Sequence, residues 1–212
     1  MEAAAEKVRL ALVMTGTPFE DKRVNFEQWM DLKPSAKYGQ LPLLTVDGVQ
    51  MAQSPALLRW VARKFGDGSL YPQDPDAMFE VESMLALSDD MAKAWGPALY
   101  MGMRPNMFGY PEDIKPEDKE ALVKTLRERF LAESLPKFMG MFTAQLEKTG
   151  AFLCGDKVTI ADLQLLPQLR YFTRGVADFV PADSLAPYPV VIGWIDRMLA
   201  VPEIKAWYDS KK

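Results

Sequence analysis

The thirty residues from Lys37 to Gly66, KYGQLPLLTVDGVQMAQSPALLRWVARKFG, constrain the fold more than any other stretch. Leu41-Pro42-Leu43-Leu44-Thr45-Val46 is a short apolar run suited to a strand. Asp47-Gly48 follows, a strong tight-turn signal because both positions tolerate positive φ. Val49-Gln50-Met51-Ala52 reads as the returning strand. Ser54 then reads as a helix N-cap, with Pro55 at the first helical position. Ala56, Leu57, Leu58, Trp60, Val61 and Phe65 form an apolar helical stripe, which Gly66 ends. The expectation is strand, turn, strand, helix.

Two residues here invite a chemical reading. Pro42 at the head of a strand can follow a cis bond, which would turn the backbone of Leu41 away from the sheet. Ser54 at a helix N-terminus offers a hydroxyl and free amides to an anion such as a carboxylate. Each also has a plain reading: proline opens an edge strand, and serine caps a helix.

The bulk numbers exclude several classes. The chain has 212 residues, 49% of them hydrophobic, enough for one large or two small cored units. Its net charge of -4, without a long basic run, argues against nucleic acid as a partner. No stretch of about 18 apolar residues suggests a membrane span. The opening MEAAAEKVRL has no apolar signal segment. Histidine is absent, which removes histidine general bases, Ser-His-Asp triads and histidine metal sites, and no metal is expected. The single Cys154 forbids an intrachain disulfide and fits a reducing, cytoplasmic setting.

Along the chain, Ala3 to Met14 reads as a helix and Phe19 to Asn25 as an exposed strand. Phe26 to Leu32 reads as a short helix. Tyr71-Pro72-Gln73-Asp74-Pro75 looks like a linker. Helices are expected over 76–103, with Pro97 bending or interrupting the first, over 117–148 with a bend near Pro136, and over 156–173, 188–200 and 202–210. This gives an α/β unit over 1–70 and an all-helical unit over 76–212. Thr159-Ile160-Ala161-Asp162 is a capping-box pattern and reads as folding chemistry.

Tyr38-Gly39-Gln40-Leu41-Pro42, Val46-Asp47-Gly48 and Gln53-Ser54 together resemble the glutathione-binding half of the cytosolic glutathione transferases, in their sigma- and pi-like flavour. The match extends back through Pro18-Phe19-Glu20-Asp21-Lys22-Arg23-Val24 and Trp29…Leu32-Lys33-Pro34, and forward to Thr159-Ile160-Ala161-Asp162. The resemblance implies a thioredoxin-like domain followed by a helical bundle. It implies glutathione as co-substrate and a small hydrophobic electrophile as the second substrate.

The resemblance also assigns roles. Trp29 and Lys33 would face the glycine carboxylate, with Gln40 near the same end. Leu41, before a cis Pro42, would pair its backbone with the cysteinyl unit. Gln53 and Ser54 would hold the γ-glutamyl carboxylate. Asp90 would reach the γ-glutamyl amine bound to a partner subunit, and Tyr38 would insert into that partner in a homodimer. Trp95, Tyr100, Met101 and Met103 are candidates for the electrophile pocket, although core packing is the simpler explanation for most of them.

One departure bears on chemistry. The family's chain opens with a strand that carries a tyrosine, whose hydroxyl stabilises the glutathione thiolate. That strand and tyrosine are expected to be missing here, with Glu2 to Ala4 in the place of the following loop. A free thiol near pKa 8.5 is mostly protonated at neutral pH. The chain would then be a shorter version of a longer one, a non-catalytic binding or structural relative, or an enzyme in which Ser54, a helix N-terminus or another tyrosine assists the thiol. Cys154 lies beside the capping box and is no substitute.

Overall fold

Asp47 (φ 50°) and Gly48 (φ 78°) turn the chain back on itself. The turn joins strand β1 (Leu43–Val46) to strand β2 (Val49–Ala52), with Leu43 opposite Ala52 and Val46 opposite Val49. In this computed structural model residues 4–211 are described. Among them this antiparallel hairpin is the sheet.

Helix α1 (Glu6–Met14) and helix α3 (Ser54–Phe65) pack together beside the hairpin through Val8, Leu10, Leu57, Leu58 and Val61, all buried. Between them lies helix α2 (Phe26–Leu32), capped reciprocally by Asn25 and Gln28. None of the α2 residues is buried.

The second half is helical: α4 (Pro75–Tyr100), α5 (Pro116–Arg129), α6 (Leu135–Thr149), α7 (Ile160–Tyr171), α8 (Pro189–Ala200) and α9 (Pro202–Asp209). Helix α7 is the centre of this bundle, with eight buried residues from Ile160 to Leu169. It packs on α4 and α8 and also on α1, so one core serves both halves.

Several expectations meet a different outcome. Residues Phe19 to Asn25 are not a strand. A strand needs a hydrogen-bonding neighbour. This segment is instead held by side chains. Arg9 Nε donates to Asp21 at 2.7 Å, Arg23 Nε donates to the same carboxylate at 3.0 Å, and the Phe19 ring lies 5.5 Å from that of Trp207. The helix expected from Ala3 begins at Glu6; Ala3 itself lies outside the described residues, as does most of the place given to the family's opening loop.

Proline at 97 does not interrupt α4, which runs on to Tyr100. At the place where a bend is expected near Pro136, the helix widens into a π turn over Phe130–Ser134, just ahead of the proline. Proline supplies no N–H and its ring crowds the carbonyl four residues back, and a wider turn ahead of it relieves both. The expected linker is also packed: Tyr71 is buried, its hydroxyl donates to Glu82 at 2.6 Å, and Ile160 N–H donates to the Leu70 carbonyl.

The capping box at Thr159 is present and serves the fold. Asp162 is fully buried and accepts from Leu153 N–H, Thr159 N–H, the Thr159 hydroxyl and Trp194 Nε1, each at 2.9 Å. Burial pushes its carboxyl above the ordinary range, and these four donors oppose that rise.

Candidate functional site

The hairpin register fixes the geometry of the site. Because Leu43 pairs with Ala52, the residues before β1 lie at the same end as those after β2. Gln40, Leu41 and Pro42 therefore lie at the same end of the hairpin as Gln53 and Ser54. The Gln53 side-chain amide donates to Gln40 Oε1 at 2.9 Å. The Leu41-Pro42 bond is cis, and Leu41 is 48% exposed.

Helix α3 starts one residue earlier than expected: Gln53, not Ser54, is its N-cap. Gln53 adopts φ 75°, ψ 96°, and its side chain caps no amide. A non-glycine residue held there costs roughly 1–3 kcal/mol and persists only when its surroundings enforce it. Ser54 is buried at the first helical position. Leu57 N–H already donates to the Gln53 carbonyl, and Pro55 has no N–H. The amides of Ser54 and Ala56 are thus the ones this helix end presents to an anion.

The start of α3 is held rigidly from behind. Arg59 donates to the Pro55 carbonyl at 2.9 Å and grips Glu82 of α4 through two bonds of 2.8 and 2.6 Å. The Arg59 guanidinium holds the Glu82 carboxyl below its usual range. A forked, two-bond pair of this kind fixes orientation as well as distance.

Trp29 is half-buried on α2, and Lys33 is exposed at its end. A Cβ on Gly39 would lie 4.0 Å from Lys33 Cγ, so Lys33 flanks the loop that leads into Gln40. Tyr38 is 68% exposed at φ 61°. Asp90 is exposed on α4 and pairs with Lys93 at 3.0 Å.

The electrophile candidates divide. Trp95 is buried, with ring centroids 4.9 Å from Phe130, 5.1 Å from Phe172 and 5.8 Å from Tyr171. Met101 is buried too. Tyr100 and Met103 are exposed at the end of the same helix. Burial pushes the Cys154 thiol up to about 12, aided by the nearby Asp162 carboxylate, so it is a poor nucleophile at neutral pH. Among the described residues no group of three or more His, Cys, Asp or Glu is placed to hold a metal ion.

Sequence reasoning missed a polar relay between the halves. Lys7 Nζ donates to Gln164 Oε1 at 2.8 Å, and Gln164 Nε2 donates to Asp89 Oδ1 and to the Leu85 carbonyl, each at 3.0 Å. Lys7 thus meets a neutral amide, and desolvation lowers it to about 8 despite the nearby Asp89. Lys7 sits beside Glu6 in the polar first turn of α1, so nothing local marks it.

A small sheet unit whose hairpin presents a polar end, joined to a helical bundle, places this protein in the two-part class with a thioredoxin-type first half. Residues 1–63 match the sequence profile described as Glutathione S-transferase, N-terminal domain, and residues 110–211 that of the C-terminal domain. Glutathione S-transferase 1 of Ascaris suum is 30% identical over 203 residues, covering 95% of this chain and 88% of its own. Glutathione S-transferase 4 of Caenorhabditis elegans is 29% identical over 214 residues, covering 99% and 92%. The solved structure of prostaglandin synthase D of Nilaparvata lugens superposes with a TM-score of 0.81 at 25% identity, covering 100% of this chain and 95% of that one. The chain belongs to the glutathione S-transferase family.

Proposed function

We propose that this protein is a glutathione transferase, which binds glutathione at the polar end of the hairpin and joins its sulfur to a small hydrophobic electrophile. The observation that carries the reading is that Gln40, Leu41 and cis Pro42 share one end of the hairpin with Gln53 and buried Ser54, at a helix N-terminus. Glutathione carries two carboxylates, an ammonium and a thiol. The Ser54 hydroxyl and the α3 amides suit the γ-glutamyl carboxylate. The Leu41 backbone, exposed ahead of β1, suits the cysteinyl peptide unit. Lys33 and the Trp29 indole suit the glycine carboxylate. No metal enters this chemistry.

The electrophile would lie near Tyr100 and Met103, with Trp95 behind them in the core. In conjugation the thiol gives up its proton, sulfur bonds to the electrophilic carbon, and the displaced group leaves or the acceptor takes up a proton. Asp90 and Tyr38 act across a homodimer in this reading, Asp90 on the partner's glutathione amine and Tyr38 as an inserted aromatic anchor. The boundary between the glutathione half, 1–70, and the helical half, 76–212, falls at the turn before α4.

Calorimetric titration with glutathione in two buffers of different ionisation enthalpy tests the reading. The pair of heats gives affinity and protons released. Binding with proton release at neutral pH is expected, with affinity weakened by about 1–3 kcal/mol in Ser54→Ala. Binding without proton release would mark a holder of glutathione rather than an enzyme, and unchanged affinity in Ser54→Ala would overturn the site.

A further inference from the structure

The loop after α4 encloses a depression of about 590 Å³. The residues just after α4, a 3-10 turn over Pro105–Phe108, Glu112 and the first turn of α5 wall it. Backbone bonds fix its rim. Arg104 N–H donates to the Tyr100 carbonyl at 2.8 Å, Met107 N–H to the Arg104 carbonyl at 3.1 Å, and Tyr110 N–H to the Pro105 carbonyl at 3.2 Å. Gly109, at φ 81°, closes the turn.

The charges on its walls do not balance. Glu112 is the carboxylate among the lining residues, and the Asn106 side-chain amide already donates to it at 2.8 Å. Arg104 and Lys119 line the same space, and neither has an ion-pair partner among the described residues. Met103 and Met107 lie on these walls and are 62% and 61% exposed. Unbranched thioethers adapt to many apolar shapes, and covering them removes apolar surface from water.

We propose that this depression binds an amphipathic carboxylate, with its apolar body on Met103 and Met107 and its charge held by Arg104 and Lys119. The planar guanidinium presents two parallel N–H groups that fit a carboxylate, and the ammonium adds a second point of charge. Loop bonds already in place lower the ordering cost of binding. A catalytic consequence follows, and it rests on the glutathione reading above. Since Met103 is one of the electrophile candidates, electrophiles that carry a carboxylate are the favoured class. With 4-chloro-3-nitrobenzoate, the glutathione sulfur bonds to the ring carbon bearing chlorine, chloride leaves with the bonding pair, and the thiol proton passes to solvent.

Binding is tested apart from turnover. The full chain, with 13C-methyl methionine, is titrated with decanoate and with decan-1-ol, and the methyl resonances are followed by NMR. Decanoate is expected to move Met103 and Met107 and to bind more tightly than the alcohol. The double variant Arg104→Gln/Lys119→Gln is expected to weaken decanoate about tenfold and leave decanol unchanged. Equal affinity for acid and alcohol, unmoved Met103 and Met107 signals, or undiminished decanoate binding by the double variant each overturn the proposal. A wild-type protein that binds decanoate this way but conjugates neither 4-chloro-3-nitrobenzoate nor the corresponding amide defeats the glutathione reading and leaves the anion site standing.

Discussion

Gln53 reaches back thirteen residues to bond Gln40 at 2.9 Å, and it does so from a backbone conformation that glycine adopts more readily. Position 53 thus sets function against stability. Its side chain serves the proposed site, while its φ of 75° works against the fold.

The variant Gln53→Gly separates the two effects. It relieves the backbone and removes the amide at once. Urea unfolding is expected to show a protein as stable as wild type or more so, by up to about 1 kcal/mol. Glutathione affinity, read by calorimetry, is expected to fall by about 1 kcal/mol or more. A variant that loses stability yet keeps its affinity would contradict both halves of this account.

How far the sequence led to this site depends on the range of the interactions involved. The hairpin, its Asp47-Gly48 turn and the cis Pro42 were legible because each is set by neighbours in sequence. The start of α3 was misplaced by one residue, since Ser54 and Gln53 both suit a cap and only the backbone angles separate them. The false strand at Phe19 to Asn25 has another cause. What fixes that segment is an ion pair to Arg9 and a ring contact to Trp207, both distant in sequence. The relay through Lys7 joins residues 157 apart, and local pattern carries no trace of that.

Lys7 gives a prediction with a definite sign. Its folded pKa is lowered from 10.5 to about 8, because desolvation of the half-buried amine, with a smaller push from Arg59, outweighs the opposing pull of Asp89. Between those two values the unfolded chain holds a proton that the folded chain has released, so stability rises with pH across the window. Below about pH 8 the folded protein carries the full cost of a charged, poorly solvated amine. The variant Lys7→Met removes that cost and leaves Gln164 Oε1 short of a donor. It is expected to be more stable than wild type by about 1–2 kcal/mol at pH 7, with the gain vanishing by pH 10.5. Urea midpoints at four pH values check this, and parallel pH profiles for the two proteins would disprove it.

Asp162 bears on the core of the bundle. Replacing it by alanine strands the amides of Leu153 and Thr159 and the indole N–H of Trp194. Each buried donor left unmade costs about 1–3 kcal/mol, so Asp162→Ala is expected to lose about 3 kcal/mol or more. Thr159→Ala keeps the carboxylate and is expected to lose about 1 kcal/mol. Chemical unfolding of both variants measures the difference, and equal losses would mean that the serial donors are satisfied another way.

The junction of α1 with α9 has its own consequence. Trp207 Nε1 donates to buried Glu6 at 2.8 Å, across 201 residues, while Lys211 lies 4.2 Å from the Trp207 ring and its ammonium 3.5 Å from Asp21. Glu6 belongs to the first described helix, and its donor Trp207 belongs to the last. Until α9 docks, that carboxylate has Arg9 of its own helix as its partner. The first half therefore leans on α9: with that helix undocked, a buried carboxylate of α1 loses its indole donor.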